Sequence, residues 1–207
     1  DFEIPGFATS VELESATPDA RSSAFIQALA RIQADRRLLA PGETVNGLTI
    51  GAKNSDWVSA ADRAFARTNV DPFPRLDTSN PSSALGPGFA GSVKPDLLLP
   101  GAREHLRVTA SGNGAAIRVA PGRPSRGAGL KVAAPPSGQG LEGAESYTNG
   151  TSAATSLASR TAHRIHDALE AAYGEVFLRV PARQRAVLLK ALLVHPGRRP
   201  DATACFV

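Results

Sequence analysis

The sequence has no methionine, a single cysteine, few aromatic residues and no long uninterrupted apolar run. Cys205, near the end of the chain, has no second cysteine to pair with, so no internal disulfide can form. The longest apolar stretch, residues 186–194, is interrupted by Lys190 and is far shorter than the ~20 residues of a membrane span. No signal-peptide pattern follows Asp1. We therefore expect a piece of a longer or processed protein without a membrane partner, and the lone cysteine favours the cytoplasm.

Lysine is also scarce, because the basic residues are nearly all arginine. The net charge is +4 with a pI of about 9.7, but the basic residues are scattered and aromatic residues make up only 5%. A nucleic-acid surface needs a basic stripe, often with aromatic side chains for stacking. We expect a solvated basic surface and no nucleic-acid partner. The arginine- and alanine-rich composition is typical of a GC-rich bacterial genome.

The chain has 207 residues and 42% hydrophobic content, enough for one domain over residues 1–207. Residues 1–18 read as irregular, and residues 54–93 as loops with a short helix near 60–66. Helical spacing and turn residues predict helices at about 19–37, from Ser152 to Gly174 and at about 181–195. Short apolar runs predict strands at 45–52, 93–101 and 130–136, and a hairpin within 107–120. This mixture predicts an α/β sheet covered on both faces.

The segment "NGTSAATSLA" (149–158) opens the second predicted helix with small residues and hydroxyls. One interpretation is that Thr151 or Ser152 simply caps the helix, since both residue types are favoured there. The other is that the slim approach exposes Ser152 to an incoming chain at the positive end of the helix dipole. Behind it lies an apolar stripe of Ala158, Ala162, Ile165, Leu169 and Ala172.

Three segments occur in this order along the chain: "LTIGA" (48–52), "KPDLLLPG" (94–101) and "NGTSAATSLA" (149–158). Over about residues 45–175 they resemble the C-terminal half of a subtilisin-like serine protease catalytic domain (a subtilase of peptidase family S8). The resemblance implies a subtilisin-like three-layer α/β sandwich with a mostly parallel sheet, of which this chain is only the C-terminal portion. It also implies a serine endopeptidase with Ser152 as the catalytic nucleophile, whose own N–H helps to hold the oxyanion.

Some parts of the family pattern are absent. Ser156 stands where subtilases usually have proline, and the D-[ST]-G, H-G-T and oxyanion G-N motifs do not occur. The resemblance therefore implies that an N-terminal half of the same domain supplies the base and its aspartate. The partners would be that half and a peptide or protein substrate. The alternative is a non-catalytic subtilase-like module that binds peptides or partners.

The remaining candidate side chains favour structural roles. His105 beside Glu104 reads as a loop histidine, His195 as a helix-capping or surface residue, and Asp96 as a hydrogen-bond acceptor for nearby backbone. Spacings of three and four on one helix could bind a metal, but a solvated face is the expected role of His163, His166, Asp167 and Glu170. We expect no cofactor and no metal.

Overall fold

The computed structural model describes residues 1–55, 69–73, 78–110, 116–124, 128–135 and 143–197. Five α-helices occur in these ranges: α1 (Ser10–Ser15), α2 (Pro18–Arg31), α3 (Thr151–Tyr173), α4 (Glu175–Leu178) and α5 (Ala182–Val194). The strands are β1 (Phe2–Pro5), β2 (Ile50–Lys53), β3 (Asn69–Val70), β4 (Leu97–Pro100), β5 (Leu106–Ala110), β6 (Ala116–Pro121), β7 (Leu130–Ala133) and β8 (Glu145–Thr148). Among the described helices, none combines the length and apolar composition that a membrane span requires.

The largest described sheet is antiparallel, with strand order β1-β6-β5-β3. Its central pair, β5 and β6, confirms the predicted hairpin. Helix α2 packs Phe25 into the core beside this sheet, where the ring contacts Phe2 and Phe73 at centroid distances of 6.5 and 6.2 Å. The core of this part is completed by buried apolar side chains, among them Ile4, Leu13, Leu29, Val70, Leu106, Ile117 and Val119.

A second unit joins β2 and β4 as parallel neighbours, in a register that places Ile50 opposite Leu97 and Ala52 opposite Leu99. This pairing confirms that "LTIGA" and "KPDLLLPG" contribute neighbouring strands. The centre of β2 is buried, whereas β4 is half-buried. Helix α3 contacts both strands, and α5 packs against α3.

The described chain mixes helices and sheets, as an α/β assignment requires, but most of its strand pairs are antiparallel. The expectation of a mostly parallel sheet is therefore wrong for the described residues, where β2 and β4 form the parallel pair. For the central pair β5 and β6 the physical reason is connection length. Short links such as the one between β5 and β6 can only return the chain antiparallel, whereas parallel pairing needs a crossover of about a dozen residues or more.

The predicted helices lie where the sequence placed them, but their first or last residues differ from the predicted ones. Thr17 caps α2 as predicted, because its hydroxyl accepts from the Ala20 N–H. The helix ends at Arg31 rather than 37, since the chain tightens into a 3-10 turn at Gln33–Arg36. The irregular structure predicted for residues 1–18 is wrong, because β1 and α1 lie there. The short helix predicted near 60–66 lies outside the described residues.

Candidate functional site

Ser152 is the second residue of α3 and its side chain is exposed. The N-cap residue is Gly150, with φ of 85°, and no side chain hydrogen bond caps the helix there. The first bond back to the cap runs from the Ala154 N–H to the Gly150 carbonyl, at 3.2 Å. The N–H groups in the first turn of a helix have no acceptor within the helix, so they can donate to an acceptor from another segment or a ligand. This confirms the predicted place of Ser152 in the first turn of a helix, which is 23 residues long.

Gly101 is the point where the three motif segments meet. Its N–H donates to the Lys53 carbonyl at 3.0 Å, and its carbonyl accepts from the Gly150 N–H at 2.7 Å. A Cβ on Gly101 would lie 2.4 Å from the Ala52 Cβ and 2.9 Å from the Gly150 carbonyl oxygen. Only glycine allows β2, the end of β4 and the approach to α3 to come this close. The glycine of "KPDLLLPG" thus fixes the position of the loop that leads into Ser152.

The sheet-facing side of α3 consists of small residues. Ala154 is fully buried, and Ala153 and Ala158 are nearly so. These methyl groups let the helix axis approach β2 and β4 closely, which a larger side chain would prevent. Further along the predicted stripe the burial declines: Leu169 is half-buried and Ala172 is exposed. The stripe is therefore confirmed over its first part.

A cleft of about 350 Å³ adjoins the start of α3. Thr151 and Thr155 line one side, and Ile50, Gly51 and Pro95 belong to the sheet side. The wall combines hydroxyls with apolar groups, and among the described residues no charged side chain lines it. Such a surface suits an uncharged segment of a peptide chain.

The loop at residues 80–84 forms part of the same wall and was not singled out by the sequence. The Asn80 N–H donates to the Ala52 carbonyl at 2.8 Å, and the Ala52 N–H donates to Ser83 Oγ at 3.2 Å. Ser82 Oγ would lie 3.7 Å from a Cβ on Gly150. The Asn80-Pro81 dipeptide signals a turn, but nothing local reveals that the turn is buried against the strand.

Two charged side chains hold this loop from its other side. Arg36 donates to the carbonyls of Pro81 and of Ser83, the latter at 3.1 Å. A carboxylate oxygen of Glu104 accepts from the Ser82 N–H at 2.9 Å. Burial raises the pKa of Glu104, although the bonds from Ser82 and the charge of Arg36 act the other way. The sequence offered no signal for this arrangement, because the two residues are 68 positions apart.

The helix-borne histidines are too far from Ser152 to act as its base. His163 and His166 follow it by 11 and 14 residues on the same helix, which corresponds to about 16 and 21 Å along the axis. His195 is exposed at the end of α5. Gly197, two residues later, lies beside Leu97, the first residue of β4. Ser152 lies near the opposite end of that strand, where the Gly150 N–H donates to the Gly101 carbonyl. His195 therefore has the capping or surface position that was predicted.

His105 lies in the connection between β4 and β5 and is buried. Its carbonyl accepts from the Gly122 N–H at 2.7 Å. The position in a connection agrees with the prediction of a loop histidine, but the ring belongs to the interior rather than to the surface.

Asp96 has the structural role predicted for it. Its Oδ2 accepts from the Thr49 N–H and from Lys94 Nζ, both at 2.7 Å, and so ties the start of β4 to the residue before β2. Partial burial raises the pKa of this carboxyl, but the bonds from Lys94 and Thr49 outweigh it, and the pKa lies below its ordinary value.

The helix face considered for metal binding does bring ligand atoms together. Atoms of His166, Asp167 and Glu170 lie within 4.8 Å of one another, and His163 Nε2 lies 3.8 Å from Asp167 Oδ2. Most of these side chains are exposed, and the His166 ring packs edge-on against Phe177. Exposed charged groups of this kind are common on solvated helix faces, so the arrangement fits the predicted solvated face.

The comparisons with known proteins give little beyond this geometry. The chain is 36% identical, over 67 residues, to a protein of Sinorhizobium fredii described as "Uncharacterized protein y4bN". The match covers 32% of this chain and 15% of that protein, so the chain spans only a small part of its relative. No protein-family model matches the chain. No solved structure matches it either.

Proposed function

We propose that this chain is the nucleophile-bearing part of a subtilisin-like serine endopeptidase, with Ser152 as the nucleophile. The observation that carries the proposal is the junction at Gly101. Segments 48–52, 94–101 and 149–158 are far apart in sequence, yet hydrogen bonds at Gly101 reach Lys53, the residue after the first segment, and Gly150 in the third. A chance cap at a helix start would not require the other two segments to be its neighbours.

The start of α3 supplies hydrogen-bond donors that can stabilise the oxyanion of an acyl-transfer reaction. A carbonyl oxygen that becomes negative near Ser152 would meet free amide N–H groups and the positive end of the helix dipole. Such preorganised donors typically contribute on the order of 10²–10³ to the rate. The exposed Ser152 Oγ and the neighbouring cleft leave room for a peptide beside these donors.

The reaction would proceed through an acyl-enzyme. Ser152 Oγ attacks the carbonyl carbon of the peptide while a base removes its proton, and the amine leaves as that proton is returned to it. Water then hydrolyses the ester and regenerates Ser152. We propose that a segment outside these 207 residues supplies the base, its aspartate and the side-chain donor of the oxyanion hole. The helix histidines lie out of reach.

The finer fold assignment belongs to the same proposal. The parallel pair β2–β4 with α3 packed on it supports a layer of a subtilisin-like sandwich. Two-stranded parallel sheets are rarely stable alone, since parallel sheets are normally covered and extended. The proposed N-terminal half would extend this sheet and be the chain's structural partner.

A second candidate is a subtilase-like module that binds peptides without cleaving them. The distance between Ser152 and the helix histidines favours it, because a serine hydroxyl is a poor nucleophile without an adjacent base. Ser156, in the place of the usual proline, does not distinguish the two candidates. Its Oγ bonds back to the Ser152 carbonyl at 3.0 Å and the helix continues.

Peptide hydrolysis by the protein encoded by the complete reading frame tests the choice. We expect Ser152→Ala to abolish hydrolysis. Ser159→Ala is the matched control, because Ser159 is an exposed serine two helical turns further along α3, on nearly the same face. The control should keep full activity. Equal activity of both variants would reject Ser152 as the nucleophile, and an inactive full-length protein that still binds peptides would favour the module.

A further inference from the structure

The 80–84 loop separates two clefts. On one side is the cleft at the start of α3, and on the other a cleft of about 340 Å³ lined by Arg36, Arg37, Glu104 and neighbouring residues. Ser82 and Ala84 line both clefts. A shift of this loop would therefore alter the wall beside the nucleophile.

Three successive residues of the loop each have a backbone group that is hydrogen-bonded to a charged side chain. Arg36 binds the carbonyls of Pro81 and Ser83, and Glu104 accepts from the N–H of Ser82 between them. Glu104 is 3% exposed and Arg36 is half-buried. Two charged groups at this depth carry a desolvation cost, and uncharged side chains could cover the loop without that cost. What the charged pair adds is directional bonds that fix the loop's position.

The opposite face of the loop contacts the residues that hold the start of α3 in place. Ser83 accepts from the Ala52 N–H in the middle of β2, and the Asn80 side chain reaches the Gly101 carbonyl at 3.4 Å. That same carbonyl accepts from the Gly150 N–H, and Ser82 lies beside Gly150. One continuous set of bonds thus runs from the charged pair through the loop to the residue that caps α3.

We propose that Arg36 and Glu104 are positioning residues, which fix the 80–84 loop and through it the Gly150 approach that orients Ser152. This inference rests on the proposed function, because it assigns a catalytic consequence to the geometry. Neither residue touches the reacting atoms, but the loop they hold also lines the cleft, so its displacement should lower turnover and weaken substrate binding to a smaller extent. A misplacement of reacting groups by about 1 Å can cost on the order of 100-fold in rate.

The test uses the full-length protein and measures two quantities: the rate of Ser152 labelling by a fluorophosphonate probe, and kcat and KM on a peptide substrate. We expect Glu104→Leu and Arg36→Met each to lower labelling and kcat by about 10- to 100-fold with KM within about threefold. Glu104→Gln keeps an acceptor for the Ser82 N–H and should stay within about threefold of the unsubstituted protein. Arg36→Lys, with one donor group on a flexible stem, should fall between the two.

Arg37→Met is the matched control, because Arg37 is the next residue, is exposed and lines the same cleft. It should label and turn over as the unsubstituted protein does. If Glu104→Leu and Arg36→Met behave like Arg37→Met while the unsubstituted protein is labelled, the positioning role is rejected and the proposed function stands. If the unsubstituted protein is neither labelled nor active, the proposed function fails and the positioning role falls with it.

Hydrogen exchange decides the matter if the apolar variants do not fold. In the unsubstituted full-length protein, the amides of Ser82 and Gly150 should exchange slowly, because each donates to a defined acceptor. Arg36→Lys should speed exchange at both amides without global unfolding, and Glu104→Gln should speed it less. Fast exchange at both sites in the unsubstituted protein, or no change in Arg36→Lys, would overturn the inference.

Discussion

Replacing Gly101 by alanine should destabilise the protein strongly, because the new Cβ would lie 2.4 Å from the Ala52 Cβ. Favourable carbon–carbon contacts lie at about 3.5–4.0 Å, so the two strands must separate by more than about 1 Å. The φ of Gly101 is not in the left-handed region, so the cost is steric rather than conformational. Overpacking of this kind costs about 1–3 kcal/mol, and we expect a value near 3 kcal/mol. With a urea m-value of about 2–3 kcal/mol per M for a chain of this size, this corresponds to a midpoint shift of about 1–1.5 M.

A double-mutant cycle with Ala52→Gly isolates this contact. Ala52 is fully buried, and its replacement alone should cost about 1.5 kcal/mol from the lost methyl group and the flexible backbone. The double variant should be more stable than the sum of the single changes predicts, by at least about 1 kcal/mol. Rescue will be partial, because the contact to the Gly150 carbonyl oxygen, at 2.9 Å, remains.

The control is Gly143→Ala, where a Cβ meets no atom within 4 Å and φ is +80°. It should cost about 1–2 kcal/mol from the left-handed backbone alone and show no coupling to Ala52→Gly. Additivity of Gly101→Ala and Ala52→Gly within about 0.5 kcal/mol would refute the described junction between β2 and the end of β4.

Three further outcomes are expected. Gly150→Ala, at φ +85° and ψ −165°, a region open almost only to glycine, with its nearest contact at 3.7 Å, should cost about 1–3 kcal/mol in denaturant unfolding. The lowered pKa of Asp96 means that its stabilising contribution is present above the unfolded pKa and is lost as pH falls through the folded value. Asp96→Asn should therefore flatten the acid side of the stability profile measured by urea midpoints, and an unchanged slope would argue against the bond to Lys94. Arg103→Met breaks a buried ion pair with Asp71 and should cost about 3–5 kcal/mol, as measured by thermal and urea unfolding; a loss below about 1 kcal/mol would contradict it.

The local features of the candidate site were predictable because they depend on near neighbours in sequence. Glycine and proline fence the strands β2 and β4, and the run after Gly150 has the spacing and small residues of a helix start. The sequence also carries a capping signal for α1. Thr9 and Glu12 have the spacing of a capping box, and in the structure Thr9 accepts from the Glu12 N–H while Glu12 accepts from the Ala8 N–H.

The rest depends on contacts between distant residues. β1 finds its partner in β6, so that Phe2 lies opposite Val119, and no local pattern gives that pairing. The same holds for Arg36 and Glu104, whose role arises only because both reach the 80–84 loop. Burial of charged side chains depends on tertiary packing, and a single sequence shows residue types without their neighbours.

The most direct test of the central claim is the site of covalent labelling by a fluorophosphonate probe, mapped by mass spectrometry. We expect a single adduct on Ser152 in the protein encoded by the complete reading frame, its loss in Ser152→Ala and its retention in Ser159→Ala. The 207-residue chain alone should be labelled weakly or not at all, because the proposed base lies outside it. An adduct elsewhere in the full-length protein, or none at all, would contradict the assignment of Ser152. Strong labelling of the 207-residue chain would show instead that the base lies within it.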